Sequence, residues 1–135
     1  LTVMLHLADL GELELERGNL KQAERHLREG LILSKIAGHR MPMLYSLLGF
    51  GRLAEKRGEL LRSARLFGFM IEAPEATFFH HLMNSSEKAR LESSIATVRS
   101  RLGEVAWEEA YGEGRSMTLD EAVSYALEQD AEGRT

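Results

Sequence analysis

Two adjacent histidines, His80 and His81, have side chains that could bind a metal ion. Neighbouring residues on a helix point about 100° apart, whereas helix residues that share one ion are typically four positions apart. No carboxylate lies at a convincing spacing from the pair. We therefore expect exposed or hydrogen-bonded histidines, and we predict no metal site and no cofactor.

Acidic residues crowd the first predicted helix and raise the question of acid–base catalysis. They are Asp9, Glu12, Glu14 and Glu16. A glycosidase pair would need a cleft and a raised pKa on one of its two carboxyl groups. The pattern indicates neither feature, so a solvated helix face is the favoured interpretation.

Motifs for nucleotide chemistry and nucleophilic catalysis are weak or missing. The segment Gly49-Phe50-Gly51-Arg52-Leu53-Ala54 loosely matches a dinucleotide fingerprint, but that motif requires a preceding strand and here lies inside a predicted helix. The sequence contains neither a P-loop nor a Gly-x-Ser-x-Gly elbow. We predict that the chain is not an enzyme and has no catalytic residues.

The composition narrows the class of protein. The 135 residues suit one domain, and 44% hydrophobic content is enough for a core. A net charge of −4 argues against a nucleic-acid surface, and no apolar run approaches the length of a membrane span. The absence of cysteine fits a reducing compartment, so we expect a cytoplasmic location. Because the first residues already have a helical pattern and no initiator Met, we expect a fragment of a longer protein.

The chain is organised around a pattern of small and apolar residues that occurs twice. The first copy is Leu10-Gly11, Gly18, Ala23 and Leu27, and the second is Phe50-Gly51, Gly58, Ser63-Ala64 and Phe67. In each copy, a small residue within an apolar helical stripe allows a second helix to cross closely. A glycine seven positions later ends the first helix. The two copies lie forty residues apart and predict two helical hairpins.

The remaining pattern completes an all-α prediction. We expect two hairpins over residues 1–73, an irregular connection over 74–84 that forms a short helix or an ordered loop, three helices over 85–128, and a frayed tail over 129–135. In the first helix, Val3, Leu7 and Leu10 are predicted to form the buried stripe. Two glycines, Gly112 and Gly114, are predicted to break the sixth helix.

The doubled pattern resembles the tetratricopeptide repeat, although its period exceeds the usual length of about 34 residues. The resemblance implies a right-handed stack of helical hairpins whose concave face binds other proteins. Two repeats are few for independent stability, so the C-terminal helices are expected to cap the stack. The residues predicted to seal its end are Trp107, Tyr111, Leu119 and Val123.

The C-terminal half has a second resemblance, carried by a series of short segments. In order they are Ser63-Ala64-Arg65-Leu66-Phe67-Gly68, Leu102-Gly103-Glu104, Trp107, Ala110-Tyr111, Glu113-Gly114-Arg115 and Thr118-Leu119-Asp120-Glu121-Ala122-Val123. The series looks like the helical tail of bacterial signal-transducing ATPases and of LuxR-type or SARP-type transcriptional regulators. This resemblance implies a sensor or interaction arm that accompanies a nucleotide-binding domain elsewhere in the parent protein.

Helical register predicts which side chains face the concave side, where they would bind a peptide or a sister domain. An equally open interpretation is that these residues are ordinary surface, or are covered by a neighbouring repeat. The predicted partner-binding residues are Leu5, Glu12, Glu16, Tyr45, Leu48, Arg52, Glu55 and Lys56.

Two further functions stay open at this point. One is a small-molecule sensor with an apolar pocket, although such residues are more often core. The other is self-association as a homodimer through an exposed apolar end of the stack. Direct binding to nucleic acid or to a membrane is not expected. The residues that would line the sensor pocket are Met41, Met43, Tyr45, Met70, Phe78 and Phe79.

Overall fold

The computed structural model of the chain describes residues 1–128 and confirms the all-α prediction. Its described part is a stack of helical hairpins in which every regular element is a helix. None of these helices is long and apolar enough to cross a bilayer. The eight helices are α1 (Thr2–Arg17), α2 (Leu20–Ala37), α3 (Arg40–Arg57), α4 (Leu60–Glu72), α5 (Pro74–Leu82), α6 (Ser85–Leu102), α7 (Glu104–Arg115) and α8 (Leu119–Leu127).

Glycine ends the first helix of each hairpin, as the repeated pattern predicts. Gly18 follows α1 with φ 80°, and Gly58 follows α3 with φ 77°. These left-handed values suit glycine because a Cβ atom would be strained there. The next amide then folds back to the helix carbonyls, from Asn19 to Glu14 at 2.9 Å and from Glu59 to Ala54 at 2.9 Å. The turn chemistry is therefore the same in both copies.

The small residue of each first helix allows the close crossing that its spacing predicts. A Cβ atom placed on Gly11 would lie 2.6 Å from Leu27 of α2, and one on Gly51 would lie 2.7 Å from Phe67 of α4. Leu27 and Phe67 are completely buried, so neither has room to retreat. The two hairpins thus share one packing rule at positions forty residues apart.

Of the two forms expected for the connection over 74–84, the structure has the short helix. Residues Pro74–Leu82 form α5, with proline in the first turn, where its missing amide costs nothing. Phe79 is buried and meets the ring of Tyr45 edge-on, with centroids 4.7 Å apart. An anchored aromatic ring on a short helix explains why this segment is ordered.

The expected helix break at Gly112 and Gly114 is wrong, because α7 continues to Arg115. A Cβ atom on Gly114 would overlap the backbone carbonyl of Arg65 in α4, and one on Gly68 would overlap that of Tyr111 in α7. The glycines therefore permit backbone-to-backbone contact between α4 and α7. The close packing of α4 on α7 offsets the low helix propensity of glycine at this contact.

The buried stripe of α1 differs from the predicted one. Val3 is 63% exposed and Leu10 is 42% exposed, whereas Ala8, Gly11 and Leu15 are buried. The reason is the position of α1 at the outside of the stack, where α2 and α3 cover only one of its faces. Its apolar residues are too many for that single covered face.

At the opposite end of the stack, the four residues predicted to pack together lie in two places, because α7 packs on α4 and α6 whereas α8 packs on α3 and α4. Trp107, Leu119 and Val123 are buried in the common core, and Tyr111 packs against it with its ring 5.0 Å from that of Trp107. Thr118 and Glu121 form the capping box that starts α8. Within residues 1–128, the buried residues at this end and the exposed ones of α1 make the two ends of the stack unlike each other.

Candidate functional site

The concave side of the hairpins contains a small cavity, which we call the concave pocket. It brings together residues of α1, α3 and α6 and has a volume of about 80 Å³. Four of the eight predicted partner-binding residues line it, namely Glu12, Tyr45, Leu48 and Arg52. The lining is completed by Ala8, Asp9, Glu87, Arg90 and Leu91.

The other four predicted residues lie outside the pocket lining. Glu55 accepts a hydrogen bond from the Ser94 hydroxyl at 3.2 Å, and Glu16 lies 3.8 Å from the guanidinium of Arg90. Both contacts are with α6, and so both acids face a helix of the same chain. Leu5 is half-buried and Lys56 is exposed.

Helix α6 therefore occupies part of the space in front of the predicted groove. Its residues Leu91 and Val98 are buried against the rest of the chain. A cavity of about 80 Å³ has room for a few water molecules or one small group and is too small for a peptide segment. A peptide would reach these side chains only if α6 moved away, which would expose two core residues to water.

An ion pair between Glu12 and Arg52 dominates the electrostatics of the concave pocket. The Arg52 side chain is 8% exposed, and burial raises the pKa of Glu12 despite the opposing charges of Arg52 and Arg90. Within residues 1–128, Oε1 of Glu12 and Nε of Arg52 are buried without a hydrogen-bond partner. Since the carboxylate pairs with Arg52 through one oxygen and buries the other, it is poorly placed to exchange a proton with a ligand.

Two other sets of candidate residues, the histidine pair and the residues of the sensor pocket, do not come together as sites within residues 1–128. The rings of His80 and His81 lie 6.1 Å apart, and no cluster of metal-binding side chains occurs in the part of the chain that the structure describes. Phe79, Met43 and Met70 are buried in the core. Phe78 is 64% exposed, so the two phenylalanine rings do not share a pocket.

An exposed apolar stripe, which we call the open edge, lies on the outer face of α1. It consists of Val3, His6, Leu10 and Leu13, all exposed and spaced by three, four and three residues. This spacing places them along one side of the helix. The open edge is therefore a continuous stripe of three large apolar side chains and one histidine.

The second hairpin shows how such a stripe is normally covered. The positions forty residues later are Met43, Ser46, Phe50 and Leu53 of α3, and all four are buried. The preceding helix α2 packs on this side of α3, where Leu27 approaches Gly49. In α1 the same four positions have no covering helix within residues 1–128.

Within residues 1–128, the far end of the stack has no such stripe, since Val105 is the one exposed large apolar residue on α7 and α8. Helix α7 packs closely on α4, and α8 is held at its C-terminal end by two arginines. Arg62 donates to the carbonyls of Tyr125 at 2.8 Å and Ala126 at 3.0 Å, and Arg28 donates to that of Leu127 at 3.1 Å. Cations at a helix C-terminus satisfy carbonyls that the helix leaves unpaired.

Leu13 belongs to the open edge but is not among the residues predicted from the sequence, and Val3 and Leu10 were expected to be buried. Superposing the two copies at a forty-residue offset would have placed Leu13 with Leu53. That alignment contains the signal, but only the structure shows that no other part of residues 1–128 covers the first copy.

Comparisons with protein-family models, with curated proteins and with solved structures yield no match to this chain.

Proposed function

We propose that this chain is a non-catalytic protein–protein interaction module that binds its partner through the open edge of α1. The observation that carries this proposal is the contrast between the exposed stripe of α1 and the buried equivalent stripe of α3. Exposed apolar patches on an otherwise well-packed surface mark interaction sites. Within residues 1–128, α7 and α8 have no comparable stripe, which favours α1 as the interaction surface.

We further propose that the module regulates a parent protein in the cytoplasm. The sequence resemblance to the tails of bacterial signalling ATPases and of LuxR-type or SARP-type transcriptional regulators supports this context. In such a setting, binding at the open edge would report the presence of a partner or of a sister domain. The concave face is the less favoured surface, because α6 already packs beside it.

Site-specific photo-crosslinking tests the proposed surface. A photoreactive phenylalanine analogue at position 10, introduced into the protein in its own cells, should give a discrete protein adduct. The matched control is the same analogue at Val105, which is 83% exposed on α7 and lies outside the open edge. The adduct should disappear when Leu13→Asp is added, because a buried carboxylate at the contact is unfavourable.

Two results would count against the proposal. Position 10 and position 105 could give the same adducts, which would show that exposure alone determines crosslinking. The position 10 adduct could also survive Leu13→Asp, which would show that the apolar stripe does not hold the partner. Thermal unfolding of each variant checks that the fold is intact.

A further inference from the structure

We infer that the partner of the open edge is an amphipathic helix that presents a lysine or arginine opposite Asp9. This inference rests on the proposed function and specifies the chemistry of its partner. The inference is based on a comparison of the two hairpins. Helix α2 packs on α3, whereas within residues 1–128 no helix packs on the equivalent face of α1.

The completed contact is that of α2 on α3. Leu27 of α2 fits against Gly49, where a Cβ atom would collide with the leucine side chain. Leu27 is wholly buried in this position. A leucine can approach α3 so closely only because glycine leaves the helix surface bare.

The equivalent position in α1 is occupied by Asp9 instead of glycine. It lies forty residues before Gly49, in the same register that pairs Gly11 with Gly51 and Gly18 with Gly58. A helix that docked on α1 as α2 docks on α3 would press its leucine onto the exposed Asp9 side chain. That contact would remove the Asp9 carboxylate from water and offer it only an apolar side chain, which is costly.

A cationic side chain in place of that leucine could cover the apolar stripe and also pair with the Asp9 carboxylate. The long stem of a lysine or arginine covers apolar surface while its charged end reaches the carboxylate. The border of the open edge favours the same choice, since Asp9 lies on one side of the stripe and Glu14 on the other, whereas Glu16 already faces Arg90 of α6. Charge complementarity of this kind selects partners and speeds their encounter.

The same border argues against a second copy of this chain as the occupant. Two open edges placed face to face would bring Asp9 and Glu14 of one copy near the acids of the other. Like charges across an interface disfavour association. The occupant is therefore better described as a basic amphipathic helix than as α1 of another molecule.

Peptides that copy α2 provide matched probes. One peptide has the native sequence of residues 20–37, and the second differs only by Leu27→Arg. Both pay the same cost of forming a short helix, so that cost cancels in the comparison. Their affinities for the full chain are measured by fluorescence anisotropy of a labelled peptide, at low and at high salt.

The arginine peptide should bind the native chain at least about tenfold more tightly than the leucine peptide, with a preference that shrinks at high salt. Against the variant Asp9→Gly, which copies the surface of Gly49, the preference should reverse. Leu10→Asp should abolish binding of both peptides. The reversal is the decisive result, because a general attraction of a basic peptide to an acidic protein would not change sign.

The possible results distinguish failure of the charge inference from failure of the proposed function. Equal binding of both peptides, lost with Leu10→Asp, would overturn the charge inference and leave the proposed function standing. No binding of either peptide, together with a position 10 adduct in cells, would also overturn only the inference. A dimer by light scattering that Leu10→Asp converts to a monomer would identify a second copy as the occupant and overturn the inference. Absence of both peptide binding and the adduct would overturn the inference and the proposed function together.

Discussion

Glu12 and Arg52 form an ion pair in the wall of the concave pocket that links α1 to α3. The two residues occupy equivalent positions of the two copies, forty residues apart, with opposite charge. Burial is the larger influence on Glu12 and raises its pKa, while Arg52 is the larger of the opposing charges. The pair therefore joins the hairpins at the cost of keeping a carboxylate away from water.

Removal of the cation should destabilise the chain in a pH-dependent way. We expect Arg52→Met to lower the free energy of unfolding at pH 7 by about 3 kcal/mol, the lower end for a broken buried pair. The lower end applies because the Glu12 side chain is still 25% exposed. Chemical denaturation at pH 4 and at pH 7 measures the deficit.

The sign of the pH dependence follows from the raised pKa of Glu12. The folded chain holds this proton more tightly than the unfolded chain, so the stabilisation is present below the unfolded value of 4.5 and is lost as pH rises through the folded pKa. Loss of Arg52 raises the folded pKa further. The deficit of Arg52→Met should thus be small at pH 4 and full at pH 7, and an equal deficit at both would contradict this account.

A paired substitution serves as the control for this residue-scale prediction. Glu12→Leu combined with Arg52→Met leaves no unpaired charge in the wall of the pocket. Replacement of a buried ion pair by apolar residues is often neutral or stabilising. The double variant should therefore recover most of the stability that Arg52→Met loses at pH 7.

At the scale of elements, the contact between α4 and α7 depends on glycine at one position of α7 and not at another. Gly114 meets the backbone of Arg65, whereas a Cβ atom on Gly112 would find only the guanidinium of Arg115, at 3.6 Å. Both glycines lie in the last turn and a half of the same helix. They therefore form a matched pair for the effect of one methyl group.

We expect Gly114→Ala to cost about 3 kcal/mol, because the backbone of α4 cannot yield without separating from α7. Gly112→Ala should be neutral or should stabilise the chain by up to about 1 kcal/mol, since alanine is the better helix former. Urea denaturation of the two variants gives the difference. Similar losses for both would mean that helix propensity rather than close packing governs this contact.

At the element scale, the sequence predicted the features that depend on neighbouring residues and missed one that depends on a distant residue. The ends of α1 and α3 and the capping box of α8 were predictable, because those signals act within a few residues. Gly114 was misinterpreted as a break, because a glycine that ends a helix and one that admits a neighbouring backbone look alike in sequence. The partner of that glycine lies 49 positions earlier, at Arg65.

At the scale of the whole molecule, the open edge of α1 differs from the equivalent face of α3, which is buried within residues 1–128. Two leucines at equivalent positions show the asymmetry with the side-chain chemistry held constant. Leu53 of α3 is 2% exposed, and Leu13 of α1 is 42% exposed. The same residue type therefore belongs to the core in one copy and to the surface in the other.

We expect Leu53→Ala to lower the free energy of unfolding by about 2–5 kcal/mol, the usual cost of a buried leucine. Leu13→Ala should lower it by less than about 1 kcal/mol, because much of that side chain is already in water. Chemical denaturation of both variants, at several protein concentrations, measures the two losses of stability. A large loss for Leu13→Ala that grows with concentration would reveal an open edge covered by self-association.

The sequence by itself determined the helical class, the hairpin turns and the forty-residue equivalence of the two copies, because helix periodicity and glycine caps are local properties of the chain. It also brought Glu12, Tyr45, Leu48 and Arg52 together through helical register. Only the tertiary structure decided that α6 packs beside that concave side, that α5 is ordered by Phe79, and that Val3, Leu10 and Leu13 remain exposed. These outcomes depend on which helix covers which face, and an apolar stripe has the same spacing whether or not a neighbour covers it.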